Sequence, residues 1–180
     1  TGQVARINPN SGAMQGTPFQ PALQPNGDMP KWYEPVRLDE SQMVIARGQV
    51  DKEMPSVIYT LSGSNPRSIM KTGELVCESP VKSNVVLSGT QLFGVLETPD
   101  GDKLTSFTFQ PLAIVKDVAL EVDLVGGPWA TAAGILVATS DGKLHCYQSD
   151  LSLKWSTELQ DVKFACAPEI TANVNGWLML

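Results

Sequence analysis

The chain has 180 residues, of which 42% are hydrophobic and 18% charged, so it can bury a core and is not a disordered polar segment. Its formal net charge of −6 and its lack of a Lys/Arg cluster argue against nucleic acid as a partner, because phosphates would be repelled. No apolar run approaches the length of about 18 residues that a membrane-spanning helix needs.

The first 23 residues predict the last two strands of a four-stranded unit. A strand at 3–7 is followed by the polar turn Asn8–Gly12 and a second strand near 17–20. The chain starts with Thr1 in a polar stretch and stops inside the apolar run 177–180. These ends predict that it was cut from a larger protein, so any targeting segment would lie outside it.

Residues 31–76 predict a complete four-stranded unit. Short apolar runs bounded by turn-forming residues are typical of strands, and helical periodicity is absent. Met43–Ala46 is a buried inner strand, Ser56–Leu61 follows it, and Ser68–Met70 with Leu75 supplies the fourth strand.

Residues 77–124 predict a second such unit. Leu92–Leu96 is the inner run, and Asp100-Gly101 turns the chain, since Asp-Gly favours a tight hairpin. Leu104–Phe109 alternates apolar and polar residues, and Val118–Val122 is expected to close the unit as its fourth strand.

Residues 125–160 predict a third unit with the clearest pattern. Ile135–Ala138 is a continuous apolar run, as expected of a strand buried on both faces. Asp141-Gly142 predicts a two-residue type I′ turn, in which both residues need a positive φ. Leu144–Tyr147 and the alternating Leu153–Thr157 complete the unit.

Residues 161–180 predict the first two strands of a further unit, around 164–170 and 177–180. Together with residues 1–23 they would supply one complete set of four strands. Pairing of the two ends would close a ring and remove two exposed sheet edges. The alternative is an arc of a larger ring of such units, with its exposed edges covered by missing sequence or by self-association.

Prolines mark the repeat. Each unit is expected to open with a short first strand that contains a proline, and these prolines, Pro35, Pro80, Pro128 and Pro168, are 45, 48 and 40 residues apart. Proline suits the first position of a strand, where its missing N–H breaks no ladder bond. A period of this length with four strands per period predicts an all-β protein, a β-propeller of about four blade equivalents.

Two segments resemble a known family. The segment 134–147, together with Leu153-Lys154-Trp155, resembles the pyrroloquinoline-quinone-type β-propeller repeat. In that repeat an apolar strand, Asp-Gly and a closing Trp follow one another. The segment Gly2–Gly12 is similar to the same repeat's turn. At the other closing positions the chain has Phe19, Met70 and Val122 instead of Trp.

The resemblance extends to quinoprotein-like propellers, including the scaffold subunit of outer-membrane protein assembly. It implies an extracytoplasmic, periplasmic location in a bacterium. The cofactor does not follow from the fold, because function depends on the site. The sequence has no vicinal Cys pair and no carboxylate/Asn calcium cluster, so we expect no cofactor.

No pattern predicts a catalytic or metal site. His145 is the only histidine, and no nucleophile motif surrounds it. Asp100, Asp102 and Asp141 are explained by hairpin turns, where Asp bonds to its own backbone. The loop 61–66 has one glycine and no following Lys-Ser/Thr, so it is not a phosphate-binding loop.

The three cysteines, Cys77, Cys146 and Cys166, are expected to be buried small hydrophobes, and a Cys146–Cys166 disulfide is the alternative. Trp129 and Trp155 are expected to pack between blades.

Trp32 and Tyr33 are the candidate partner-binding residues. They follow a loop rich in Pro, Gly and Asn at 20–30, and an exposed aromatic pair there would anchor a partner. The alternative, which we favour, is a first strand packed into the core.

The sequence thus predicts a non-enzymatic scaffold or sensor domain that binds a protein or peptide through blade loops. One alternative is part of a quinone- or metal-dependent oxidoreductase whose cofactor residues lie elsewhere. The other is a purely structural spacer.

Overall fold

A computed structural model of the chain describes residues 3–21, 31–49, 54–158, 170–173 and 176–179. Throughout these ranges the regular secondary structure is β, in antiparallel sheets. None of the described segments is a helix long and apolar enough to cross a membrane. The chain divides into two compact units, residues 1–81 and 82–180.

The first unit contains a hairpin and a four-stranded sheet. The hairpin pairs β1 (Val4–Ile7) with β2 (Met14–Phe19). The sheet runs in chain order through β3 (Val36–Arg37), β4 (Gln42–Arg47), β5 (Val57–Ser62) and β6 (Met70–Val76).

The core of this unit lies between the hairpin and the sheet. Ile45, Tyr59 and Leu61 are buried, and Val4 and Phe19 of the hairpin pack against them. The Phe19 and Tyr59 rings meet edge to face with centroids 5.2 Å apart, a favoured aromatic geometry. The hairpin therefore covers an apolar sheet face.

The second unit contains two four-stranded sheets and a hairpin. The first sheet comprises β7 (Val86–Ser88), β8 (Gln91–Thr98), β9 (Gly101–Phe109) and β10 (Leu112–Ala119). The second comprises β11 (Leu124–Thr131), β12 (Gly134–Thr139), β13 (Lys143–Tyr147) and β14 (Leu153–Glu158). The hairpin pairs β15 (Ile170–Asn173) with β16 (Gly176–Met179).

The two four-stranded sheets of this unit share one apolar core. Phe93 and Val95 of β8 and Ile135 and Val137 of β12 belong to a single buried cluster. Full burial of each such side chain contributes about 1.5–3 kcal/mol. Neither sheet could hide this face alone, so stacking of the two sheets follows from their composition.

Burial changes in the same way across each four-stranded sheet. The second strands β4, β8 and β12 are largely buried, whereas the fourth strands β6, β10 and β14 are largely exposed. The inner apolar runs predicted at 43–46, 92–96 and 135–138 are confirmed as these second strands.

The prediction for the fourth strand at Val118–Val122 is wrong. The fourth strand is β10, and only Val118 and Ala119 of the predicted segment belong to it. A bulge between Ile114 and Lys116 interrupts the ladder and leaves Ile114 and Val115 both exposed. This breaks the alternation that an outer strand should show.

The type I′ turn predicted at Asp141-Gly142 is also wrong. Leu151 is the one non-glycine residue with positive φ among the described residues, so Asp141 is not left-handed. The Gly142 N–H donates to the Thr139 carbonyl at 3.0 Å, and Gly142 has φ 81°. This is a three-residue loop in which a turn is followed by a left-handed glycine.

The prolines do not all mark strand starts. Pro35 directly precedes β3, but Pro80 lies well before β7. Pro128 lies inside β11, where the register shifts between Gly126 and Trp129 and the Gly127–Pro128 bond is cis. Pro168 lies outside the described residues. The four-stranded sheets therefore recur along the chain, but the prolines do not mark their first strands consistently.

Candidate functional site

The link between β10 and β11 forms one side of a pocket in the second unit. This link, residues 120–123, lies beside the β12–β13 loop and the outer strand β14. The pocket has a volume of about 370 Å³ and is lined by 118–122, Thr139, Asp141, Lys143, His145, Tyr147, Leu151, Leu153 and Ser156. We call these residues the connector pocket.

The floor of the connector pocket is apolar and rigid. Leu120, Tyr147 and Leu151 are 3%, 6% and 3% exposed and belong to the core cluster shared by the two sheets. Leu151 has φ 63°, which costs energy for a branched residue and persists only where surrounding structure enforces it. The strained turn thus holds the Leu151 side chain in the floor.

A single hydroxyl organises the polar side of the pocket. Thr139 Oγ1 lies 2.7 Å from Asp141 Oδ1 and 3.1 Å from His145 Nε2. The hydroxyl has one proton, and the charged carboxylate at the shorter distance is its stronger acceptor. His145 therefore donates its Nε2–H to the hydroxyl oxygen, which assigns the ring tautomer.

Asp141 and Lys143 neutralise each other at the rim. Lys143 Nζ donates to Asp141 Oδ2 at 2.6 Å. This hydrogen bond lowers the pKa of the Asp141 carboxyl and raises the pKa of the Lys143 amine. Both groups are therefore charged at neutral pH and cancel locally.

His145 is neutral at neutral pH. Burial lowers the pKa of the ring below its ordinary value of 6.5, against a smaller opposing effect of the Asp141 charge. Nδ1 is buried and has no hydrogen-bond partner within the described part of the chain. A second ring proton, on Nδ1, would have no acceptor there. The missing acceptor and the burial therefore both favour the neutral ring.

Glu121 is the charge of the pocket lining that has no ion-pair partner among the described residues, and its field adds to the larger effect of Asp141 in raising the pKa of Lys143. It is exposed on the connector, and it forms no ion pair with any residue that the structure describes. Its charge contributes to raising the pKa of Tyr147, whose main cause is burial. The Glu121 carboxylate therefore exerts an electrostatic effect on Tyr147 in the floor of the pocket.

The connector is fixed from below by Asp102. The Leu120 N–H donates to the Asp102 carbonyl at 2.8 Å, and the Leu124 N–H donates to Asp102 Oδ2 at 2.6 Å. Asp102 is 1% exposed and also accepts from Lys82 Nζ at 2.8 Å. Both ends of the connector are thus held by one residue.

The sequence explanation of Asp102 as a turn residue is wrong. Pro99 and Asp100 form the turn, and Asp102 is the second residue of β9, where its carboxylate is buried in an ion pair. Among the described residues, no group of three or more His, Cys, Asp or Glu is arranged to hold a metal ion.

The candidate partner-binding residues lie at the start of the first unit's sheet. Trp32 bridges to Arg47 and packs against the core, with its ring 6.2 Å from that of Tyr59. Tyr33 is 9% exposed and donates its hydroxyl to the Val81 carbonyl at 2.6 Å. A partner-binding role for this pair stays a prediction, and the adjoining loop 22–30 lies outside the described residues.

A second pocket lies in the first unit, with a volume of about 270 Å³. The Arg6 guanidinium in its wall donates to the Gly63 carbonyl, and Arg37 Nε donates to the Asp39 carbonyl at 2.8 Å. Its two cationic groups are therefore used within the protein, and the connector pocket is the stronger candidate.

The two described cysteines, Cys77 and Cys146, do not contribute to the lining of either pocket. Cys77 and Cys146 are free and buried. Burial raises the pKa of the Cys77 thiol to about 11 and also raises that of Cys146, so neither is a reactive thiolate at neutral pH. Cys166 lies outside the described residues.

The two tryptophans predicted to pack between blades, Trp129 and Trp155, are half-buried on β11 and β14.

The sequence singles out His145 and Asp141 individually but does not predict that they line a common pocket. Glu121 and Leu153 gave no local signal, because they belong to a connector and an outer strand that meet only in the fold. The one available clue was the apolar Leu151 inside an otherwise polar turn at 149–152.

Comparison with solved structures decides the fold class. BamB from Moraxella catarrhalis is similar with a TM-score of 0.58 and 13% identity, covering 94% of this chain and 48% of BamB. BBS1N in complex with ARL6DN, in a mercury-soaked crystal, is similar with a TM-score of 0.58 and 14% identity, covering 90% of this chain and 51% of BBS1N. A lead-soaked crystal of that complex is similar with a TM-score of 0.57 and 14% identity, covering 90% of this chain and 52% of BBS1N.

The chain has a β-propeller fold. Both neighbours are propellers, and the all-β chain with its four-stranded antiparallel sheets agrees with them. The chain spans about half the length of each of these structures. No protein-family model and no curated protein matches the sequence. The finer resemblance to the pyrroloquinoline-quinone-type repeat therefore stays a prediction.

Proposed function

We propose that this chain is a non-enzymatic scaffold or sensor propeller domain of a larger bacterial protein, of the pyrroloquinoline-quinone-type repeat, which binds a protein or peptide partner through its blade-connecting loops. The observation that supports this most is the connector pocket, where a rigid apolar floor opens at the link between two stacked sheets. Pockets of this size with an apolar lining and a few polar groups are typical binding sites.

The polar groups of the pocket favour binding over catalysis. His145 is held through Nε2 by the Thr139 hydroxyl, and Thr139 in turn bonds to Asp141, so this chain of contacts orients the ring without activating a nucleophile. One structural neighbour, BBS1N, was crystallised in complex with ARL6DN, which is a precedent for a propeller that binds a protein.

The test is selection of peptides from a random library displayed on phage, with the purified chain as bait. We expect enrichment of a shared short motif whose synthetic peptide binds saturably. Leu153→Ser should weaken that binding about tenfold by removing an apolar wall, a loss of about 1.4 kcal/mol. Met70→Ser is the matched control, because Leu153 and Met70 are 53% and 49% exposed and Met70 lies on the outer strand of the first unit.

Two results would overturn the proposal. Absence of any enriched motif would favour a structural spacer. Saturable binding of pyrroloquinoline quinone with calcium, accompanied by redox activity, would favour the oxidoreductase alternative.

A further inference from the structure

We propose that the connector pocket recognises an apolar side chain of an extended peptide with a Lys or Arg beside it, and that Glu121 pairs with that basic residue. This inference rests on the proposed function and specifies its ligand. It follows from three features of the pocket: the floor, the charges at the rim and the rigidity of the connector.

The floor selects an apolar group. Leu120, Tyr147 and Leu151 form an almost fully buried base, and Leu153, which is 53% exposed, supplies the accessible apolar wall. An apolar side chain that covers this surface removes it from water, at about 25 cal/mol per Å² of area buried. A charged side chain placed there would lose hydration without gaining a partner.

The rim selects a positive charge. Asp141 and Lys143 form an ion pair with each other, and His145 is neutral, so Glu121 contributes the remaining charge of the lining. A ligand anion would meet an unpaired carboxylate on a chain whose net charge is −6. A ligand cation would find an ion-pair partner already in place.

Nearby lysines do not compete for Glu121. Lys82 is bound to Asp102, Lys103 lies 3.4 Å from Asp117, and Lys116 Nζ donates to the Asp150 carbonyl at 2.7 Å. Lys154 Nζ donates to the Ala133 carbonyl at 2.9 Å. These four lysines are therefore engaged elsewhere, and Lys143 of the lining is hydrogen-bonded to Asp141, although the Glu121 charge also helps to raise its pKa.

The connector holds Glu121 in a defined position. Asp102 binds the backbone of Leu120 and Leu124 on either side of it, so the segment that carries Glu121 is fixed before a ligand arrives. Such preorganisation lowers the entropic cost of binding.

The experiment uses peptides from the phage selection and variants of the chain. We expect the enriched motif to place Lys or Arg beside an apolar residue. Replacing that basic residue by Glu in a synthetic peptide should weaken binding about tenfold. Glu121→Gln should weaken binding about two- to fivefold, as for an exposed ion pair, and Glu121→Lys should weaken it further.

Glu78→Lys is the matched control, because Glu78 is exposed, lies in the first unit and changes the net charge equally. The inference is wrong if enriched motifs lack a basic residue, or if Glu121→Lys weakens binding no more than Glu78→Lys. In that case binding that depends on Leu153 would leave the proposed function intact, whereas absence of any peptide binding would overturn both.

Discussion

Asp102 is the residue on which the geometry of the connector depends most. Its carboxylate is almost fully buried, yet it joins Lys82 to the backbone of Leu124, and its own carbonyl binds Leu120. Burial alone would lower the pKa of Lys82, but the hydrogen bond and charge of Asp102 outweigh it and the net shift is upward. Lys82 is therefore held in its charged form, and its contact with Asp102 is part of the fold.

We expect Asp102→Asn to destabilise the protein by about 2 kcal/mol, because it leaves the partly buried Lys82 without its charged acceptor. The effect should be smaller than for a fully buried pair, since the Lys82 side chain is 29% exposed. Equilibrium unfolding in urea measures the change.

Asp123→Asn is the control for this prediction. Asp123 lies 3.8 Å from the same lysine but is 74% exposed, so its loss should cost less than about 0.5 kcal/mol. Equal losses for the two variants would contradict the role assigned to Asp102.

His145 should make stability depend on pH near neutrality. Burial lowers the pKa of the folded ring below 6.5, so below this pH the unfolded chain binds the proton more readily than the folded chain. The contribution to stability is complete above pH 6.5 and is lost as pH falls from that value through the lower folded pKa. His145→Gln keeps an amide donor for Thr139 but removes the titration.

Urea unfolding midpoints at about pH 7.5 and about pH 5.5 test this, because histidine titrates between them. The wild type should lose more stability than His145→Gln over this interval. Carboxyl groups titrate in both proteins and cancel in the comparison. Equal losses would show that the ring is not protected from protonation.

At the scale of elements, the tightest constraint is the start of β12. Gly134 has φ 142°, and a Cβ there would lie 2.3 Å from the Tyr147 carbonyl oxygen and 3.0 Å from Cys146 Sγ. The neighbouring strand β13 thus approaches the Gly134 backbone so closely that only glycine fits.

Gly134→Ala should therefore destabilise the protein by more than about 2 kcal/mol, since backbone must move as well as adopt a strained conformation. Gly89→Ala is the control. Gly89 has φ 60° in open space, so its replacement should cost about 1 kcal/mol from strain alone. Thermal unfolding of both variants compares them, and a smaller loss at Gly134 would contradict the close approach.

The sequence predicted the buried strands well and the outer ones less well. Ile135–Ala138 is apolar throughout, because β12 is buried on both faces. A short apolar run of this kind leaves few structures other than a buried strand. The strand β10 was misplaced because its bulge exposes Ile114 and Val115 together, which local alternation does not anticipate. The Asp141-Gly142 turn was located correctly but has a different geometry, because only Gly142 is left-handed.

At the scale of the whole molecule, the repeat period was the information that predicted the fold. A period of 40–48 residues with four strands in each repeat predicts sheets whose apolar faces are covered by neighbouring copies, and propeller neighbours support that architecture. The connector pocket could not be predicted in the same way. It brings together Glu121, His145 and Leu153, whose proximity is a property of the stacked sheets rather than of any local pattern.

Amide hydrogen exchange of the chain, with and without a synthetic peptide of the selected motif, tests the central claim most directly. Bound peptide should slow exchange in the segments 118–123 and 139–145, which contain the connector and the β12–β13 loop, and leave the segment 31–37 around Trp32 and Tyr33 unchanged. Protection confined to 31–37, or no protection at the connector, would contradict the claim that the partner binds between the two sheets of the second unit.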